Sequence, residues 1–191
     1  MRAYGFPQGP FALLDDVGIE VGAKIHTVLE VLFAERGMPP DDALKRLVAA
    51  GSVGRTGGKG FYRYPSGRRG REVDRGVYAA AGLGARRALH ASEVQERLVL
   101  SMIDEAVRCL DEGVLRSPVD GDVGAVFGFA FPPFLGGPFF YADAVGAADL
   151  VARLKALSER HGERFRPADG LLARAESGER FYPEGAAPGS V

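Results

Sequence analysis

The sequence predicts an all-α protein built from two related helical units, the first of which has lost its beginning. Three observations carry this expectation. The stretch Gly9 to Gly18, GPFALLDDVG, returns at Gly137 to Gly146 as GPFFYADAVG, with Gly, Pro, Phe, Asp, Val and Gly at the same offsets, 128 residues apart (137 − 9). Apolar residues recur at helical spacing through long stretches after both copies. No pair of alternating segments joined by a tight turn stands out, so strands leave no signature.

In chain order, residues 1–10 read as a short extended lead-in and Phe11 to Val17 as a short helix. Ile19 to Arg36 is amphipathic, with Val21, Ile25, Val28, Leu29 and Leu32 on one broad apolar face. Gly37 is its expected C-cap, with Pro39 and Pro40 beyond. A helix over Asp41 to Ala50 opens on two acids, where negative charge suits the helix dipole, and stops at Gly51. Residues 52–64, SVGRTGGKGFYRY, form a glycine-rich loop running into an aromatic segment. These residues complete a first repeat, 1–64. The segment 65–90 is the expected linker, opening on the polar, Gly- and Arg-rich run PSGRRGREVDRG and holding a short helix near Val77 to Ala81.

The second repeat is expected over 91–183. Ser92 to Glu112 is the strongest helix signal in the chain. Ser92 and Gln95 have capping-box spacing. Val94, Leu98, Met102, Ala106 and Leu110 form a stripe that Val99, Ile103 and Val107 widen. Gly113 ends it. Ser117 and Pro118 then suit the N-cap and first position of a helix reaching about Gly128. Phe129 to Gly146 reads FAFPPFLGGPFFYADAVG. Phe131 is held extended by Pro132, Gly136 and Gly137 allow a sharp turn, and Pro138 opens a short helix to Val145. Helices over Ala147 to Arg160 and Asp169 to Glu176 follow, and 184–191 reads as a disordered tail. Phe61-Tyr62 and Phe181-Tyr182 close the two copies.

Composition narrows the function classes. A net charge of −1 gives no electrostatic case for nucleic acid or an anionic membrane. Cys109 is the only cysteine, which forbids an internal disulfide and fits a reducing cytoplasm. The N-terminus lacks the apolar core of a signal peptide. No run approaches the roughly 20 apolar residues that span a bilayer.

Catalytic motifs are mostly missing. Gly58-Lys59-Gly60 and Gly82-Leu83-Gly84 each lack the third glycine of a dinucleotide fingerprint, and neither follows a strand. The loop 54–60 is a structural turn or an anion contact through Arg55 or Lys59. His26, His90 and His161 have no partner at metal-ligand spacing, so no metal site is expected. Cys109, in mid-helix, is a small core or boundary residue. Asp15 and Asp16 resemble an acid pair, yet only Asp15 has a counterpart, Asp143; helix-end geometry is the plainer reading and acid–base chemistry the sharper one. Arg68, Arg69, Arg71 and Arg75 read as a solvated linker. Phe129, Phe131, Phe134, Phe139 and Phe140 either plug the core or line a groove for a ligand with a hydrophobic chain.

GFPQGPFALLDDVG, GKGFYRY and DEGVLRSPVDGDVGAVFGFAFPPFLGGPFFYADAVG together resemble the C-terminal region of multifunctional fatty-acid oxidation proteins. The resemblance covers about Tyr4 to Pro183. It implies the duplicated helical 3-hydroxyacyl-CoA dehydrogenase C-terminal fold, of the 6-phosphogluconate dehydrogenase C-terminal-like class. It further implies NAD as the cofactor of the parent enzyme, with none held by this chain alone. The implied partners are acyl-CoA and upstream nucleotide-binding and enoyl-CoA hydratase domains or subunits; the missing catalytic motifs leave open an alternative, a non-catalytic helical module that forms a homodimer or docks on a partner. The family's catalytic His–Glu pair has no match here, so no catalytic residue is expected. Where the family can place a substrate-contacting Tyr before the arm, this chain has Phe127, the one substrate-binding candidate, without the hydroxyl.

Overall fold

The computed structural model describes residues 1–36, 40–65, 72–84, 88–183 and 185. The expected cap at Gly37, the arginines 68, 69 and 71 and nearly all of the tail fall outside the described residues. Nine α-helices occur among the described residues: α1 Pro10–Val17, α2 Ile19–Leu32, α3 Ala43–Ala49, α4 Gly76–Ala80, α5 Ala91–Asp111, α6 Pro118–Phe129, α7 Pro138–Val145, α8 Ala147–His161 and α9 Asp169–Ser177. Extended pairing there is limited to isolated bridges, Gly54 with Lys59, Lys59 with Arg63 and Tyr62 with Val73. The chain divides into two compact units, one comprising Met1 and Gln8–Ala88, the other Arg2–Pro7 and Leu89–Val191.

The first unit packs α2 on α3 and α3 on α4. Its core joins Ile19, Leu47, Val77 and Ala81, with Leu44, Val48 and Phe61 against them. The Arg46 guanidinium donates to Ala81 O at 2.7 Å and ties α3 to the end of α4. Residues 76–81, expected within the linker, are therefore part of the core, because Val77 and Ala81 are buried in one cluster with Ile19 and Leu47.

The second unit gathers α6–α9 around α5. Val99, Leu100, Ile103 and Val107 of α5 are buried with Phe131, Phe139, Leu150, Leu154, Leu157 and Leu171. Asp104 and Asp111, seven residues apart on α5, receive the N–H groups of Ala168 at 2.7 Å and Gly170 at 2.9 Å. They satisfy donors that α9 cannot pair within itself. Arg2–Pro7, expected to be extended and to belong to the first repeat, instead makes a 3-10 turn at Arg2–Tyr4 and joins this unit. The reason is apolar: Phe6 is buried edge-on against Phe131, ring centroids 5.9 Å apart.

Other details depart from the sequence reading. α2 stops at Leu32, and Ala34–Arg36 tightens into a 3-10 turn. α5 starts at Ala91 with His90 as N-cap and no side-chain cap, so Ser92 lies inside the first turn and the expected capping box does not form. Of the five phenylalanines, Phe131 and Phe139 are fully buried whereas Phe129 and Phe134 are exposed. Val21, Ile25, Val28 and Leu32 of α2 also face outward; the residues α2 buries are Ile19 and Ala23.

Candidate functional site

Each unit is locked by an aspartate that holds the Phe-Tyr segment closing it. In the first, Asp15 on α1 is buried. Its Oδ1 accepts Phe61 N–H at 2.8 Å, and its Oδ2 accepts Tyr62 N–H at 2.9 Å and the Tyr64 hydroxyl at 2.8 Å. Burial, then this hydrogen bond, pushes the Tyr64 hydroxyl pKa well above the usual tyrosine value. In the second, Asp143 on α7 accepts Phe181 N–H at 2.9 Å and Tyr182 N–H at 2.8 Å. The pairing of Phe61-Tyr62 with Phe181-Tyr182 is thus the same in both units, atom for atom. The glycine after each helix is the same too: Gly18 and Gly146 adopt φ 102° and 94°, and their N–H groups close α1 and α7 on Leu14 O and Ala142 O. A side chain is strained there, which explains why both copies end on glycine.

The second unit adds a carboxylate. Asp122 on α6 accepts Phe139 N–H at 2.8 Å, Phe140 N–H at 3.0 Å and the Tyr182 hydroxyl at 2.8 Å. It caps α7 from outside the helix and faces its positive end. Burial pushes the Asp122 carboxyl above its ordinary pKa, while the three donors pull it back. The sequence reading missed Asp122. Its signal was a lone acid at an inward position of a helix whose other inward residues are Gly121 and Ala125.

These aspartates take up backbone and phenol donors, which fix the ends of α1 and α7 against the Phe-Tyr segments. Asp16 turns away from Asp15 and pairs with Arg55 at 2.8 Å, so the two acids make no dyad. Lys59 Nζ donates to Ala50 O at 3.2 Å, and Gly54 N–H reaches Lys59 O at 2.9 Å, so the loop 54–60 closes on itself. His26 lies 3.4 Å from Glu30, one turn away on α2. His161 Nε2 lies 3.8 Å from Glu93, and its pKa is lowered first by desolvation and then by Arg97. Cys109 is half-buried on α5. Among the described residues no group of three His, Cys, Asp or Glu is placed to hold a metal ion.

Phe127 stands on the outer face of α6, 85% exposed. Val123, one turn before it, is exposed as well. Gly124 and Gly128 leave open space beside the ring, since a Cβ on either would meet no atom within 4 Å. The opposite face of α6 carries Asp122. An apolar ridge is therefore presented on a helix whose orientation is fixed by three hydrogen bonds. Ala130 then ends α6 in the left-handed region, φ 57°, which lets Phe131 N–H reach Ala125 O at 3.0 Å and turns the arm inward.

Residues 1–64 match the family model described as "3-hydroxyacyl-CoA dehydrogenase, C-terminal domain". The chain is 49% identical over 180 residues to the fatty acid oxidation complex subunit alpha of Shewanella amazonensis, and 48% over 179 residues to that of Vibrio vulnificus. In both cases 94% of the chain is covered but 25% of the relative, so the chain spans about a quarter of the length of the curated relatives it matches. Two solved structures share the fold. The 3-hydroxybutyryl-CoA dehydrogenase of Escherichia coli superposes with a TM-score of 0.68 at 21% identity, covering 92% of this chain and 53% of that one. The dehydrogenase part of multifunctional enzyme 1 from Caenorhabditis elegans gives 0.60 at 23% identity, covering 90% and 40%.

Proposed function

Residues 1–64 carry the 3-hydroxyacyl-CoA dehydrogenase C-terminal domain and the chain is homologous to a region of fatty acid oxidation complex alpha subunits, and from that premise we propose that it works as the C-terminal portion of such a dehydrogenase. In this reading it covers an acyl-CoA substrate and packs on a nucleotide-binding domain. NAD, held by that other domain, supplies hydride acceptance from the 3-hydroxyl carbon. Among the described residues there is no strand–helix–strand unit, and the loop 54–60 is closed on itself.

What the chain contributes is surface and position. The observation that carries the reading is the exposed Phe127 on a helix fixed by Asp122, combined with the homology. Covering such a ring with a ligand chain is worth about 1.5–3 kcal/mol. The ring binds ground and transition states alike, so Phe127→Ala is expected to raise KM for a 3-ketoacyl-CoA with little change in kcat. The experiment mixes this chain with a separately produced nucleotide-binding domain and follows NADH oxidation by a 3-ketoacyl-CoA. A rate above that of the domain alone is expected; an unchanged rate refutes the reading.

A second reading, a non-catalytic helical dimerisation or docking module, is favoured by one observation. Val21, Ile25 and Leu32 on α2 are exposed, whereas the residues 128 further on in α8 are Asp149, Arg153 and Arg160. An apolar face of this extent on one repeat marks a covered surface. Light scattering of the chain alone separates a self-associating module from a monomer that waits for another domain.

A further inference from the structure

Closing a repeat takes one aspartate. In the first unit Asp15 alone accepts Phe61 N–H, Tyr62 N–H and the Tyr64 hydroxyl. The second unit uses two, Asp143 on α7 and Asp122 on α6. Tyr182 touches both: its N–H donates to Asp143 at 2.8 Å and its hydroxyl to Asp122 at 2.8 Å. Its neighbour Phe181 reaches α6 as well. The Phe181 ring packs on Phe139, centroids 5.0 Å apart, and a Cβ on Gly121 of α6 would run into the Phe139 ring. The Phe-Tyr pair thus bears on two successive residues of α6, Gly121 through Phe139 and Asp122 directly. The helix it bears on is weak by composition. Gly124 and Gly128 lie within it, where nothing crowds them and where glycine is a poorer helix former than alanine. The exposed ridge of Val123 and Phe127 stands within two turns of Asp122.

We propose that Tyr182 is a positioning residue for this ridge: through Asp122, its hydroxyl holds α6 at the angle that presents Phe127 to an acyl chain. The identity of the ligand rests on the functional reading above; the linkage rests on the geometry of Tyr182, Asp122 and α6. Asp122 Oδ2 is shared between the Phe140 N–H, at 3.0 Å, and the Tyr182 hydroxyl. Without the hydroxyl the carboxylate answers to α7 alone, and α6, with little helix-forming strength of its own, settles where α7 sets it. The Phe127 ring binds ground and transition states alike, so a misplaced ring weakens substrate binding and leaves the chemical step untouched.

The test combines NMR of the whole chain with kinetics. In the ligand-free chain, Tyr182→Phe is expected to shift the Val123 methyl and Phe127 ring signals while far-ultraviolet circular dichroism stays that of the parent. Asp122→Asn, which keeps one oxygen for a backbone donor, is expected to move the same signals. The chain is then mixed with a separately produced nucleotide-binding domain, with 3-ketohexadecanoyl-CoA as the probe. Tyr182→Phe is expected to raise KM about threefold or more with kcat unchanged. In the Phe127→Ala background the same change is expected to leave KM where it was, since the ring through which Tyr182 acts is gone. Unmoved Val123 and Phe127 signals in both variants would overturn the proposal. So would an unchanged KM in Tyr182→Phe where Phe127→Ala raises it, or a rise that persists in full without the Phe127 ring. A fall in kcat at constant KM, the mark of a merely structural role, would overturn it too. Shifted signals in a chain that never raises NADH oxidation would leave the positioning of α6 standing and overturn the acyl-CoA reading alone.

Discussion

In the first unit Asp15 receives Phe61 N–H, Tyr62 N–H and the Tyr64 hydroxyl; in the second, Asp143 receives the two backbone donors and Asp122 takes the tyrosine hydroxyl. The shared part of the arrangement is the pair of backbone hydrogen bonds, which a fixed helix end and a following glycine reproduce in both copies. The part that differs tracks α6. With a carboxylate arriving from α6, the tyrosine of the Phe-Tyr pair turns its hydroxyl to that carboxylate and α7 gains a cap. Within the described residues of the first unit Asp15 carries the third donor itself, through a tyrosine two positions further on. The outer faces of α2 and α8 differ in the same sense: Val21, Ile25 and Leu32 on one, Asp149, Arg153 and Arg160 on the other. One repeat presents charged side chains on this face and the other presents apolar ones.

Removing carboxylates is the strongest way to break this comparison. Asp15→Ala and Asp122→Ala each strand three donors in a buried setting, and each is expected to cost about 3 kcal/mol or more, since an unmet buried donor costs about 1–3 kcal/mol. Asp143→Ala strands two donors and is expected to cost about 2 kcal/mol on the same basis. Urea unfolding of the full chain followed by tyrosine fluorescence gives the ranking. A loss at Asp143 equal to that at Asp122 would mean that capping α7 contributes nothing beyond the Phe-Tyr hold.

The duplication and its offset were legible because they are written in residue identity, and the spans of α1 and α5–α9 were legible in apolar spacing, caps and glycines. The partners of Asp15 were not. They come from Phe61, Tyr62 and Tyr64, some 46 to 49 residues away, and backbone donors leave no trace in composition. The 128-residue offset also shrinks to 120 between Phe61 and Phe181 (181 − 61), because the glycine-rich connection from α3 to Phe61 is longer than the one from α9 to Phe181. Asp122 looked like one more acid in a Pro-Val-Asp-Gly-Asp run. The outward turn of the α2 stripe was hidden for a different reason: a period of 3.6 shows that a face is apolar, not which molecule covers it.

Tyrosine-to-phenylalanine changes sharpen the comparison with a smaller effect. Tyr64→Phe and Tyr182→Phe each remove one hydroxyl donor and leave the ring in place. A carboxylate that keeps two backbone donors tolerates this, and each change is expected to cost about 1.5 kcal/mol, the low end for a hydrogen bond to a charged group. Equilibrium unfolding measures both. Because Asp15 and Asp122 each have three donors, the two losses are expected to agree; a much larger loss for Tyr64→Phe would mean that the single carboxylate of the first unit depends more on its phenol than the divided pair does.

The smallest expected effect is a pH trend in the second unit. Burial raises the carboxyls of both Asp104 and Asp122 above their ordinary value of 3.8, against the pull of Ala168 N–H and Arg108 on one and of Phe139 N–H and the Tyr182 hydroxyl on the other. The native state therefore holds these two protons more tightly than the unfolded chain does. Their contribution to stability is full below the unfolded value and is lost as pH rises through the native one. Carbon-13 NMR titration of the aspartate carboxyls is expected to show Asp104 and Asp122 titrating above 3.8. The stability gap between the protein and its Asp104→Asn variant, which cannot titrate there, is expected to narrow as pH rises through the native Asp104 pKa. A gap that widens over that interval would mean that the amide and guanidinium donors outweigh desolvation, and that α5 caps α9 as an unpenalised anion.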